Sequence, residues 1–535
     1  MQRKSINARR FLTAFFCCVG LIMSNACAFN VKTSDTPPKE SAYRVAYIPI
    51  DNRPVNQERV QYLAQSAGIE LLMPKEDLYR TALDNMEPNS DGSTVGNREQ
   101  LCEWLLEADK TCDHFIISLD QMTSGGLVGS RWLSNTDLSF EYGVIDTILG
   151  LCNDNTVYLF DTVMRLASTV GYQGYQIEEY NAFRAYGMAE RSLLVENELT
   201  IERIIEGYPY APNGELVATE VSETMLERYH AARARKLKIA DYALRNGRDK
   251  VDFFYVGVDD STPQNTIQTN EIQYIKSLMG DRGVLGAATD ELGMCCLARM
   301  VSKFYVETPV EVTYFGDGAN KPSDGFDIGT LEESIQTHLT ALCAGEKQNG
   351  NNALQVLCLT RGCDETDRNA LLLQAKDLQA KHIPAVIIDV SENSGDLGER
   401  LMKDTAVDVC RLFGYSCWNT SANAIGIALS QGVARYAYLQ GVGSSTEKAN
   451  EGFLKSIAFA YIKDLSYKRF HPAIDGLLAE QYPCSVSKVL ERINAGRIVT
   501  GLTDFTVETH GEVEAFDFRY PWNRTFEMTF RMEIA

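Results

Sequence analysis

Six times along this chain an apolar run ends at a carboxylate. Val251-Asp252-Phe253-Phe254-Tyr255-Val256-Gly257-Val258 stops at Asp259-Asp260, and Tyr47-Ile48-Pro49-Ile50 stops at Asp51-Asn52-Arg53. The same break follows Phe115-Ile116-Ile117-Ser118-Leu119 at Asp120-Gln121 and Val157-Tyr158-Leu159-Phe160 at Asp161. It recurs where Val284-Leu285-Gly286-Ala287-Ala288 leads to Asp290-Glu291 and where Val386-Ile387-Ile388 meets Asp389, with Glu392 beyond. Such runs read as buried strands. Carboxylates crowded at a strand end repel each other unless a ligand, proton or cation uses them. In α/β folds the carboxyl ends of parallel strands are where ligands bind. The repeated break therefore points to a parallel α/β enzyme that works with carboxylates.

Strands are expected to begin near Arg44, Glu70, His114, Thr156, Val251, Gly283, Val310, Leu354, Pro384 and Gly414. Amphipathic stretches at 97–108, 365–380 and 397–412 lie between them, which is the βα alternation of a parallel sheet. Ten strands allow two architectures. The expected one is a (β/α)8 barrel-like sheet with two extra runs, because all eight loops of a barrel face one site. The alternative is two doubly wound α/β lobes split near 316–329. The α/β catalytic domain is placed at 43–440, with a helical insertion at about 170–248 forming one wall of a cleft. A C-terminal α+β region follows at 441–535. There Phe526, Met528, Phe530, Met532 and Ile534 alternate with polar residues, as in a strand with one buried face.

The formal net charge of -21 argues against nucleic acid or an anionic membrane as partner. Arg3, Lys4, Arg9 and Arg10 precede an apolar stretch from Phe11 to Met23, and Ala26-Cys27-Ala28 fits a cleavage site. Residues 1–28 thus read as a signal peptide and 29–42 as a tether. The expectation is an extracytoplasmic protein, with a lipid on Cys27 as a weaker alternative and no transmembrane segment in the mature chain. Fourteen cysteines suggest no disulfide framework, since Cys295-Cys296, Cys358, Cys410 and Cys417 sit in helix or strand patterns.

Several segments together resemble a bacterial family. They are the run Tyr47 to Asn56, Ser118-Leu119-Asp120-Gln121-Met122 with Gly125-Gly126-Leu127 and Ser130-Arg131, Asp259-Asp260, Asp290-Glu291-Leu292-Gly293, and Trp418-Asn419-Thr420 with Asn423. The chain is similar over most of its length to the family filed as domain of unknown function 4127. That name implies no activity, so chemistry must come from the residues.

Only six histidines occur, none in the strand-end motifs apart from His114 at a strand start. A Ser-His-Asp triad or a His-rich zinc site is poorly supported. No phosphate-cradling glycine motif appears, so no nucleotide cofactor is expected, and the scarcity of His beside available carboxylate pairs leads to the expectation that no metal is required. Carboxylates remain as acid, base and nucleophile. Asp259-Asp260 is the first candidate catalytic pair, because mutual repulsion raises one pKa and leaves an acid beside an anion. Adjacent acids of this kind serve substrate-assisted glycosidases acting on N-acetylhexosamines. The competing reading is an Asx turn capping a helix begun by Ser261-Thr262-Pro263. Asp290-Glu291 is the second candidate pair, with helix capping as its competitor.

Asp51, Asn52 and Arg53 read as substrate clamps, or as an Asp–Arg pair fixing a turn. Asp120 and Gln121 have the same two readings. Asp161 and Arg165 are binding candidates or an ion pair one turn apart on a helix. Trp418 and Asn419 are expected to stack on and bind a sugar, or to be a core Trp and a cap. The expected function is an exported glycoside hydrolase, with N-acetylhexosamine-containing glycans as one substrate class. One alternative is a divalent-metal-dependent hydrolase of phosphoester or amide bonds, with Asp51, Asp120, Asp259 and Asp260 as oxygen ligands. The other is a non-catalytic carbohydrate-binding surface protein.

Overall fold

A computed structural model describes residues 43–346, 353–392, 394–474 and 482–535. The signal-peptide, tether and Cys27 readings lie outside them. Among the described residues no helix is long and apolar enough to cross a membrane.

Ten strands begin within two residues of the expected positions. β1 (Tyr43–Ile48), β2 (Ile69–Leu72), β3 (His114–Ser118), β4 (Thr156–Val163), β5 (Phe253–Val258) and β6 (Gly283–Ala287) form a six-stranded sheet in the order β2-β1-β3-β4-β5-β6. Every pairing in it is parallel. β7 (Pro309–Phe315), β8 (Gly345–Glu346), β9 (Leu354–Leu359), β10 (Ala385–Asp389) and β11 (Gly414–Ser416) form a second parallel sheet, ordered β11-β10-β9-β7-β8. Of the eleven strands in these two sheets, the two-residue β8 alone has no counterpart among the expected starts.

The barrel expectation is corrected by this order, because neither sheet closes. Both have open edges and a doubly wound pattern, in which the chain turns back to the other side of its first strand. The polar residues after each strand follow from parallel strand direction, which an open sheet shares with a barrel.

Side-chain alternation explains why the two sheets form one body. On β1, Val45 and Tyr47 face a core shared with the second sheet, while Ala46 and Ile48 face the opposite layer. Tyr158 and Phe160 repeat this against Val157 and Leu159, as a period of two requires. Helices Leu292–Phe304 and Ser421–Val442 fill the shared core, together with Val310, Val356 and Ile388 of the second sheet. The passage from one sheet to the other therefore runs through the buried helix Leu292–Phe304, upstream of 316–329.

The connection between β4 and β5 carries helices Ile177–Met188, Ile201–Gly207 and the 25-residue Glu223–Gly247. After residue 441 come helices Glu447–Ile474 and Tyr482–Asn494 and two hairpins. The hairpins are β12 (Ile498–Gly501) with β13 (Thr506–Glu508) and β14 (Val513–Arg519) with β15 (Thr529–Ile534). Met528, Phe530 and Met532 are buried, as the alternation required, although the strand starts only at Thr529. Among the described residues ten cysteines, including Cys295, Cys296, Cys358, Cys410 and Cys417, are free thiols.

Candidate functional site

Because all strands of the first sheet run parallel, Asp51, Asp120, Asp161, Asp259 and Asp290 gather at one edge. A cavity of about 190 Å³ opens there. Its polar lining includes Arg53, Arg131, Arg165, Asp259, Asp260, Asp290, Asp327, Asn419, Asn423 and Arg524, and its aromatic lining is Phe326, Trp522 and Phe526. A second cavity, of about 380 Å³, lies at the corresponding edge of the other sheet. Asp324, Arg361, Asp389, Glu392 and Asp396 line it, and it shares Phe326, Asn419 and Thr420 with the first.

Asp259 and Asp260 both reach the first cavity because Asp260 breaks strand alternation. Its φ of 31° lies in the left-handed region, which costs energy for a residue with a Cβ. Asn419 (φ 59°) and Trp522 (φ 59°) line the same cavity in the same backbone region. Asp259 is bound by Arg131, and Thr289 Oγ1 donates to it at 3.4 Å. Arg165 Nη1 donates to Asp260 at 3.2 Å. Burial, and then the charge of Asp259, push the Asp260 pKa upward. The next helix begins at Thr269 with Gln268 before it, so this pair is not its cap.

Asp290 faces the cavity and accepts from Arg53 at 2.5 Å. Burial pushes its pKa up to about 7 against the pull of Arg53, and Glu527 and Asp51 add to the rise. Its neighbour Glu291 turns away. Fully buried, it accepts from Thr289 N at 3.2 Å and lies 3.3 Å from His338 Nε2.

Arg53 joins three carboxylates. It donates to Asp51 at 2.8 and 2.9 Å, to Asp290 at 2.5 Å and to Glu527 at 3.4 Å. Asp51 is wholly buried and also accepts from Arg53 N and Asn56 Nδ2. It therefore orients Arg53 and cannot meet a substrate itself. Asn52 staples loops together, accepting from Thr81 N at 3.2 Å and Trp522 Nε1 at 3.3 Å and donating to Glu76 at 3.1 Å.

Asp120, Gln121 and Asp161 do not line the cavity. Ser118 caps the short helix Leu119–Ser124 and sets Asp120 and Gln121 in its buried first turn. Gln121 packs on Gly96, where a Cβ would meet its Nε2 at 1.9 Å. Lys236, from the long inserted helix, binds both Asp120 and Asp161, and Thr162 Oγ1 donates to Asp120 at 2.8 Å. Burial, with the Asp120 charge, pushes Asp161 up to about 7, while Lys236 opposes. Asp161 lies within β4, so the proposed helical ion pair with Arg165 does not form.

Trp418 is fully buried, so its ring is not available to stack on a sugar. Its Nε1 donates to the Phe526 carbonyl at 3.2 Å, and Lys463 Nζ donates to the same oxygen at 2.7 Å. It thus pins from beneath the loop that carries Trp522, Arg524 and Phe526. The aromatic residue that lines the cavity is instead Trp522, itself largely buried, whose ring lies 4.5 Å from the Arg53 guanidinium.

The sequence reading assigned no role to Arg131, Lys236, Asp327, Asn423, Trp522 or Arg524. The local signal for Arg131 is its place just after the Gly125-Gly126 turn. That turn holds φ values of 73° and 121° and brings the Leu127 amide to the Ile50 carbonyl. Helix Leu127–Trp132, which carries Arg131, starts from it. Nothing local marked Trp522 and Arg524, which reach the cavity from the loop between β14 and β15.

The carboxylates assigned to a cation do not form one donor set. Asp51 and Asp120 are buried against Arg53 and Lys236, and Asp259 and Asp260 are held by separate arginines. Residues 45–531 match the family described as Protein of unknown function (DUF4127), so the chain belongs to that family. No curated protein and no solved structure matches the chain.

Proposed function

We propose that this protein is a glycoside hydrolase whose reaction takes place in the cavity at the carboxyl edge of the first sheet. The observation that carries the proposal is one lining that holds Asp259, Asp260 and Asp290 together with Phe326, Trp522, Phe526, Asn419 and Asn423. Aromatic faces suit sugar rings, amides suit hydroxyl groups, and paired carboxyl groups are the usual machinery of glycosidic cleavage. Asp290, with its pKa near 7, protonates the leaving oxygen. Asp259 and Asp260 supply the second carboxyl function, which stabilises or captures the positively charged sugar centre. N-acetylhexosamines remain the first class to try, since adjacent aspartates can share the orientation of an acetamido group and the handling of a proton.

The test is a panel of chromogenic glycosides that includes N-acetylhexosaminides and acidic sugars, assayed from pH 5 to 9. Asp290 acts only while protonated, so turnover should fall as pH rises through about 7. Asp290→Asn should lose turnover at every pH. A wild type that cleaves no member of the panel, or an Asp290→Asn variant with wild-type turnover, would defeat the assignment.

A further inference from the structure

We propose that Arg131, Arg165 and Arg524 form a receptor for an oxyanion carried by the substrate, namely a carboxylate, sulfate or phosphate group. The inference deepens the glycosidase reading and rests on it only in taking the anion to be part of a sugar.

Charge matching carries the argument. Arg53 has its own partners in Asp51, Asp290 and Glu527. The other three lining arginines share only Asp259, bound by Arg131, and Asp260, bound by Arg165. Asp327, the remaining carboxylate of the lining, accepts instead from Ser323 N, Asp324 N and Ser421 Oγ, so among the described residues Arg524 is left without an ion-pair partner.

Arg524 is the unmatched member. Its Nη2 donates to the Val170 carbonyl at 2.9 Å, and among the described residues it has no carboxylate within ion-pair reach. Arg131, almost wholly buried, has an Nε with no hydrogen-bond partner among the described residues. Burial pushes Arg524 down to about 10, with Arg165, Arg53 and Arg131 adding to the fall and Glu527 opposing it, and burial with Arg165 lowers Arg131 as well. Like charges packed out of water are costly unless a counter-charge is supplied. An oxyanion entering the cavity provides that charge, and guanidinium forks match its oxygen geometry. Binding of an oxyanion would relieve this crowding.

The probes are sodium sulfate, inorganic phosphate and glucuronate, titrated calorimetrically into wild type, Arg524→Gln and Arg524→Lys at constant ionic strength, with chloride as the control. At least one probe should bind wild type above the chloride background and raise its melting temperature. Arg524→Gln should weaken that binding by about tenfold or more, the loss expected for one charge-assisted contact, and Arg524→Lys should recover part of it. The rank of the three probes identifies the oxyanion. Arg44→Gln, which removes an exposed ion pair on β1, should bind as wild type does. Absence of binding by all three probes, or equal binding by Arg524→Gln, would overturn the receptor. Oxyanion binding without turnover of any glycoside would uphold the receptor and remove the hydrolase reading. Turnover of neutral glycosides without oxyanion binding would do the reverse.

Discussion

Asp260→Asn should lower turnover on the best substrate by on the order of 10²-fold or more, and should leave the melting temperature close to that of wild type. The two halves of this expectation have separate causes. The rate falls because a carboxyl group at the cavity wall is replaced by an amide that can neither carry a negative charge nor exchange a proton. Stability holds because Asn tolerates left-handed backbone as readily as Asp, so the φ of 31° adds no strain. Arg165 also keeps its hydrogen bonds to the Ala167 and Ser168 carbonyls. Asp259→Asn should lose rate similarly but is a harsher change, since Arg131 loses its ion-pair partner. Glu291→Gln is the control, because this side chain is buried on His338 and outside the cavity, and its turnover should stay near that of wild type. Full activity in both Asp259→Asn and Asp260→Asn would remove this pair from the chemistry.

Lys236→Met should destabilise the fold by about 3–5 kcal/mol near neutral pH, the usual cost of leaving a buried charge without its partner. Met fills most of the volume, so the loss is electrostatic. Burial alone would strip the proton from Lys236, but Asp120 and Asp161 outweigh it and hold the amine charged. Without the ammonium group, two carboxyl groups would face each other in a buried site. Each would then bind a proton more tightly folded than unfolded. Their contribution is therefore fullest below about pH 4 and is lost as pH rises. The gap between wild type and variant should accordingly widen from pH 5 to pH 8 in urea denaturation. Lys236→Met combined with Asp120→Asn should narrow it, since only one buried carboxyl then remains. Equal stability of wild type and Lys236→Met at pH 8 would show that the triad contributes nothing.

Much of the site was legible locally. An apolar run followed by an aspartate marks a strand end, and the shared direction of the strands brings Asp51, Asp120, Asp161, Asp259 and Asp290 to one edge. What could not be read was which of them faces the ligand. Asp51, Asp120 and Asp161 are taken up by Arg53 and Lys236, and Lys236 lies 116 positions from Asp120 in the chain. Trp418 looked like a sugar platform by its place after β11, but helix Glu447–Ile474 and the 522–527 loop bury it. Trp522 and Arg524, which do face the cavity, sit in a stretch with no local pattern to distinguish them.

The residues alone determined the elements, because hydrophobic periodicity and turn chemistry act over a few positions and survive in any tertiary context. They determined the parallel class as well, through alternation of strands with helices too long for hairpins. Only the tertiary structure decided between a closed barrel and two open sheets, since both bury the same runs and differ only in which strands become neighbours. It also decided each carboxylate's fate, because a charge is neutralised by whatever cation lies nearest in space. For Asp290 that cation is Arg53, 237 positions away, and the carboxylate Glu527 that shares it lies 474 positions from Arg53.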